Sequence, residues 1–172
     1  MRALNYAGRP PAVEGVFASF NPRFQVPAGP GGLVASVDGL ALGRFAWADL
    51  TTGIAYSARQ APENLLGFVL PAPIQGVWAD WRYRYWDQTR RAFILRAGME
   101  ATLARRGDFW ARFPGGSYVS QQVYANVLDG SCLAVDRGTG PVDGYEVTPW
   151  SVVSECGQGE LAVISTWSYF TP

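Results

Sequence analysis

Gly43-Arg44-Phe45-Ala46-Trp47-Ala48-Asp49 is the stretch whose reading decides the fold. An Asp38-Gly39 pair precedes it, and before that pair lies the short apolar run of residues 33–37. Two apolar runs divided by Asp-Gly predict a β-hairpin, because both central residues of the tight turn must take positive φ. Successive side chains of a strand point to opposite faces. Leu40, Leu42, Arg44, Ala46 and Ala48 therefore share one face, and Ala41, Gly43, Phe45 and Trp47 the other. Arg44 is the one polar side chain on either face. The pattern predicts a strand covered on both sides, with an arginine that needs a partner. That arginine, beside two large rings, is either a binding device or a paired charge in a packed sheet.

The same grammar runs outward along the chain. Residues 1–32 read as an arm punctuated by Pro10, Pro11, Pro22, Pro27 and Pro30, which interrupt any long ladder. Phe17, Phe20 and Phe24 are too apolar for a solvated linker, so the arm lies against its own domain or a neighbour. Residues 33–172 read as a single β domain. Short apolar runs follow at 54–57, 65–70, 91–97, 99–105 and 107–113, separated by glycine and proline. From Trp81 to Tyr85 aromatic and arginine residues alternate strictly, the period of a strand. Asp129-Gly130 divides 122–128 from 131–135 as a second hairpin, and Asp143-Gly144 marks a weaker third. Residues 150–155 and 160–167 join across Gly157-Gln158-Gly159. No window carries helical spacing. The expected fold is all-β, an antiparallel β-barrel or jelly-roll-like sandwich with an extended N-terminal arm.

Composition narrows the function. The chain has 172 residues, a formal net charge of zero and 16% charged residues. Without net positive charge there is no long-range field drawing it to nucleic acid or an anionic membrane, and neither is an expected partner. All 14 basic residues are arginine. The planar guanidinium suits carboxylate pairs and aromatic stacking, hence interfaces, although a GC-rich coding genome produces the same bias. Absent histidine, the usual base near neutral pH and the commonest metal ligand are missing, and no cofactor or metal is expected. Absent lysine, there is no Schiff base or phosphate-loop lysine. A carboxylate pair among Asp80, Asp87 and Asp108 is the remaining catalytic option, with arginine-paired carboxylates as its alternative. Cys132 and Cys156 lack metal-ligand spacing and read as thiols. The N-terminal residues lack a signal-peptide run, and no stretch reaches membrane-span length, so synthesis in a cytoplasm is expected.

A family resemblance rests on motifs in a particular order. They are Val13-Glu14-Gly15-Val16-Phe17-Ala18-Ser19, Asn21-Pro22-Arg23, Gly29-Pro30-Gly31-Gly32-Leu33-Val34-Ala35 and the opening stretch. Gly67-Phe68-Val69, Gly107-Asp108-Phe109-Trp110-Ala111, Val123-Tyr124-Ala125-Asn126 and Gly159-Glu160-Leu161-Ala162-Val163-Ile164-Ser165-Thr166-Trp167 continue it. Together they resemble the structural cement (capsid decoration) proteins of tailed bacteriophages across nearly the whole chain. Residues 77–89, rich in Trp, Tyr and Arg, and 168–172 depart from the pattern. The resemblance implies a non-enzymatic virion protein, made in the host bacterial cytoplasm, on the outer surface of an icosahedral shell. It would join major capsid protein subunits and neighbouring copies of itself, as a dimer or trimer, and no catalytic residue is carried over. Expected contact residues are Arg9, Phe17, Phe20 and Arg23 in the arm, and Trp81, Arg82, Tyr83, Arg84 and Tyr85 in the aromatic stretch. Arg44, Phe45, Trp47, Phe109, Trp110 and Trp167 fall to the scaffold, with Arg44 expected against Glu14 or Asp108. The competing reading is a carbohydrate- or host-surface-binding module with Trp81, Tyr83 and Tyr85 as its aromatic platform.

Overall fold

A computed structural model of the chain describes residues 13–71 and 84–167, which form strands and turns without a helix. The strands are β1 (Phe24–Gln25), β2 (Val34–Ala35), β3 (Leu40–Ala41), β4 (Phe45–Asp49), β5 (Ile54–Tyr56), β6 (Leu65–Leu70) and β7 (Arg84–Asp87). They continue as β8 (Ala92–Leu95), β9 (Thr102–Arg106), β10 (Asp108–Phe113), β11 (Gln122–Asn126), β12 (Cys132–Val135), β13 (Tyr145–Val152) and β14 (Glu160–Ser165). A six-stranded sheet, β1-β9-β6-β4-β5-β2, lies beside a five-stranded sheet, β10-β14-β13-β11-β12, and a three-stranded sheet, β3-β8-β7. Pairing is antiparallel except between β2 and β5. The result is a layered all-β sandwich and not a closed barrel.

The two-faced pattern of the opening stretch sets this layering. Phe45 and Trp47 point from β4 into a core shared with Phe109, Phe113, Val123, Trp150 and Ile164 of the five-stranded sheet. Ala46 and Ala48 point the other way, towards Leu33, Leu40, Leu42 and Leu95. A middle sheet buried on both faces has no place for alternating polar residues, and small alanines let the second layer approach closely. Ring contacts tie the first core together. Phe45 meets Phe68 and Trp150 edge-on at 5.3 and 5.4 Å, and Phe68 reaches Phe109 at 5.5 Å. Both fully buried indoles are satisfied: Trp150 Nε1–H donates to the Gly107 carbonyl at 3.2 Å and Trp47 Nε1–H to Glu146 at 2.8 Å.

Pairing around Asp38-Gly39 differs from the hairpin expected there. The chain turns one residue earlier than expected, over Val37-Asp38, with the Gly39 N–H donating to the Ser36 carbonyl at 2.9 Å and positive φ at Gly39 and not at Asp38. The two arms of the turn then part: β2 pairs with β5, and β3 with β8. Leu33, Ala35, Leu40 and Leu42 all join the second core, and distant apolar partners outcompete the local ladder. A further break at Gly43 separates β3 from β4, so the local hairpin is β4–β5, closed over Thr51-Thr52-Gly53 with Asp49 opposite Ile54. At Asp129-Gly130 β11 does pair with β12, but across residues 127–130, closed by the Asn126 N–H to the Ser131 carbonyl and with positive φ at Gly130 and not at Asp129, in place of the two-residue turn expected. At Asp143-Gly144 there is a turn but no ladder, since Pro141 and Val142 lie outside the strands.

Residues 13–26 are bound to these sheets. Gly15 N–H donates to the Trp110 carbonyl at 2.8 Å, Trp110 N–H to Val16 at 3.0 Å, and Ala18 N–H to Asp108 at 2.9 Å, covering the outer edge of β10. β1 then pairs with β9, and Val26 enters the second core.

Candidate interaction surface

Two neighbouring features make a candidate surface: the bound arm and the β7–β8 ribbon. On the ribbon, β7 is an edge strand and Trp86 lies opposite Phe93. Their rings meet edge to face at 5.2 Å, yet they remain 50% and 46% exposed. The Arg84 guanidinium lies 5.2 Å from the Phe93 ring centre, and that of Arg96 lies 5.1 Å from the exposed Tyr85 ring. Arginine stacked on an exposed ring keeps its N–H donors available while the ring offers apolar area, the composition favoured at the centre of protein interfaces. Asp87 orders the turn beneath by accepting from the Thr89 and Arg90 amides at 2.8 and 3.0 Å.

Between ribbon and arm runs a groove of about 430 Å³, walled by Val13, Glu14 and Val16 on one side and Trp86 and Phe93 on the other. Glu14 anchors the arm there, accepting from Arg112 Nε at 3.0 Å. Burial pushes its carboxyl above the usual glutamate range, against the opposing pull of the Arg112 hydrogen bond and the charges of Arg112 and Arg44. A carboxyl with a raised folded pKa takes its proton more readily folded than unfolded. Its stabilising contribution is therefore complete below the ordinary glutamate pKa and declines as pH rises towards the raised value. Wild type is expected to gain stability relative to Glu14→Gln as pH falls from neutral into the ordinary glutamate range. Urea midpoints of the two proteins across that range check it, and a relative loss would show that the ion pair outweighs desolvation.

Arg9, Trp81, Arg82 and Tyr83 lie outside the described residues, as does Asp80, so the three-ring platform is represented only by Tyr85. Phe17 packs on Phe109 with ring centres 5.9 Å apart and carries the Arg23 guanidinium 3.8 Å above it. Phe20 is fully exposed. Arg44 is paired with a carboxylate, but the partner is Asp129 of the β11–β12 turn at 3.1 Å, while its second nitrogen donates to the Arg90 carbonyl. The two carboxylates expected for it are engaged elsewhere: Glu14 by Arg112, and Asp108 by Ser19 Oγ at 2.5 Å and Asn21 Nδ2 at 2.6 Å. Asp87 is thus held by its own turn, and Asp108 by two residues of the arm through Oδ2, with its buried Oδ1 left without a partner. Phe45, Trp47 and Phe109 are core, Trp110 is half-buried under the arm, and Trp167 Nε1–H donates to the Pro22 carbonyl at 2.9 Å. Cys132 and Cys156 are both free thiols; burial pushes Cys132 up, and Cys156 Sγ lies 3.3 Å from Ser117 Oγ.

Sequence reading missed Trp86, Phe93 and Arg96. The run at 91–97 showed an apolar strand, but which of its side chains face β7 depends on cross-strand register. Among the described residues there is no cluster of three potential metal ligands, and no helix long and apolar enough to cross a membrane. A family model described as XM1 gp53 minor capsid protein matches residues 1–165. No curated protein matches the chain.

Proposed function

The chain belongs to the XM1 gp53 minor capsid protein family, and on that premise we propose that it is a non-enzymatic cement protein bound to the outside of a phage shell. Membership makes it a phage structural capsid protein of the virion. In the proposed role it bridges neighbouring major capsid protein subunits and contacts further copies of itself on the shell. Binding to the assembled shell, and not to free subunits, would stabilise the shell by mass action. Repetition over a symmetric lattice lets each contact stay modest.

The observation that carries this reading is the β7–β8 ribbon, where Trp86, Phe93 and Tyr85 stay exposed beside stacked arginines. Exposed rings rimmed by polar groups mark protein-binding surfaces. A Trp86→Ala/Phe93→Ala variant is expected to bind shells lacking the protein about tenfold more weakly, while keeping its thermal midpoint within a few degrees. Co-sedimentation with shells at graded concentration reads the first and a melting curve the second. Equal occupancy by variant and wild type would remove the ribbon from the docking face. The arm is the second proposed contact. Because Val26 is core, a deletion that probes docking rather than folding stops at residue 12, removing Arg9.

A further inference from the structure

The far end of the arm carries a second, differently built surface. β1 is the outermost strand of the six-stranded sheet and only two residues long. A cleft opens on each side of it. One, about 580 Å³, is walled by Phe24, Arg105, Arg106 and Val147, and the other, about 600 Å³, by Phe17, Arg23 and Phe24. Phe24 stands between them, 53% exposed, with its ring 6.3 Å from that of Trp167.

Three arginines surround this strand: Arg23 before it, and Arg105 and Arg106 on the neighbouring β9. All three are exposed, and none forms an ion pair with a carboxylate among the described residues. Two are held by rings instead. Arg23 lies 3.8 Å above Phe17, and Arg106 lies 5.8 Å from the Trp167 ring centre. Stacking fixes a guanidinium plane and leaves its edge donors pointing outward, the geometry that grips a carboxylate with two hydrogen bonds. Neither nearby acid forms an ion pair with these three arginines, although Asp108 Oδ1 is buried without a hydrogen-bond partner. Glu146 in the first cleft accepts from Trp47 and lies 3.7 Å from Arg59, and Asp108 on the Arg23 side accepts from Ser19 and Asn21. A chain of zero net charge therefore places three exposed arginines, without an ion-pair partner among the described residues, around one exposed phenylalanine at a sheet edge.

We propose that this face receives an extended, acidic protein segment, its carboxylates taken by Arg23, Arg105 and Arg106 and an apolar side chain seated against Phe24. The inference rests on the shell-binding reading and names the chemistry of a partner surface that it would meet. Charge complementarity argues for the acid, and the strand edge for the extended form. Nucleic acid fits less well. Zero net charge supplies no steering field, and the fixed Glu146 carboxylate in the cleft would repel a continuous phosphate backbone, whereas a peptide spaces its acids.

The probe is a labelled ten-residue peptide of alternating Glu and Val, measured by fluorescence anisotropy on the full chain at low salt. A Gln-Val peptide and a ten-nucleotide single-stranded DNA serve as comparators. The Glu-Val peptide is expected to bind at least about tenfold tighter than either, to weaken with added salt, and to lose about tenfold on Arg105→Glu/Arg106→Glu. Arg105→Gln/Arg106→Gln, which removes charge without reversing it, should show the same loss if the reversed pair is poorly folded. Equal binding of the Glu and Gln peptides, or no effect of the neutral pair, overturns the proposal. Tighter binding of the oligonucleotide replaces the acidic segment with nucleic acid and also overturns it. Shell occupancy separates the two readings. If wild type does not bind shells, the cement reading fails. If wild type and the Arg105/Arg106 variants occupy shells alike, only the acidic-segment inference fails.

Discussion

Gly130→Ala is expected to destabilise the protein by about 3–5 kcal/mol, most of the stability of a domain at the low end of the usual range. Gly130 sits at the tip of the β11–β12 hairpin with φ +69°, a conformation that costs an alanine about 1–2 kcal/mol. The steric conflict is worse. An added Cβ would lie 1.9 Å from the Phe45 carbonyl oxygen and 2.8 Å from its carbon. Both are backbone atoms of the first residue of β4 and cannot swing aside. Relief means separating the hairpin from the middle sheet, which breaks the Phe45 N–H to Gly130 carbonyl bond of 2.8 Å, worth about 1 kcal/mol, and opens the core at the Phe45 ring. It also pulls Asp129 from Arg44. Gly138 is the control: φ is +84°, nothing lies within 4 Å of its Cβ position, and alanine there should cost only the backbone strain. Urea denaturation of both variants decides. Similar losses would mean that the hairpin tip does not clamp the two sheets together.

That clamp also shows where sequence reading succeeds. Asp-Gly specifies a turn, and the chain turns at both places, with positive φ at Gly39 and Gly130. Whether the flanks then pair depends on what else they can reach. β11 and β12 have each other nearby, and β12 ends its sheet, so the local ladder forms. β2 and β3 are apolar on both sides, and each finds a partner in a different sheet. The demand of Arg44 for a carboxylate was legible from its apolar surroundings. Its choice of Asp129, 85 residues away, was not, because local spacing carries no information about which turn will close over β4. The candidate surface divides in the same way. Arg84 and Tyr85 stand out through strict alternation, whereas the Trp86–Phe93 pair exists only once β7 and β8 adopt their register.

Gly43→Ala tests the other end of the opening stretch and should separate folding from docking. Gly43 and Gly15 face each other, with φ of +72° and +84°, where the arm crosses the corner between β3 and β4. An alanine at 43 would place its Cβ 2.3 Å from Glu14 Cγ and 2.8 Å from the Gly15 nitrogen. The Glu14 side chain can rotate, but the Gly15 backbone cannot, and Gly43 is held in place by its N–H bond to the Val69 carbonyl at 2.9 Å. The arm is therefore the part that moves. Backbone strain of about 1–2 kcal/mol, with one or two displaced arm bonds to Trp110 at about 1 kcal/mol each, gives an expected loss of about 2–4 kcal/mol. Hydrogen exchange should locate it, with the Gly15 and Ala18 amides losing protection while those of β11 and β13 keep theirs. Displacing Glu14 also dismantles one wall of the groove beside Trp86 and Phe93. Under conditions where Gly43→Ala and Gly130→Ala are equally folded, the first should occupy shells less than the second, because only the first moves a residue of the proposed docking face. Equal occupancy at equal folded fraction would assign the groove to the scaffold and leave the ribbon rings to bind alone.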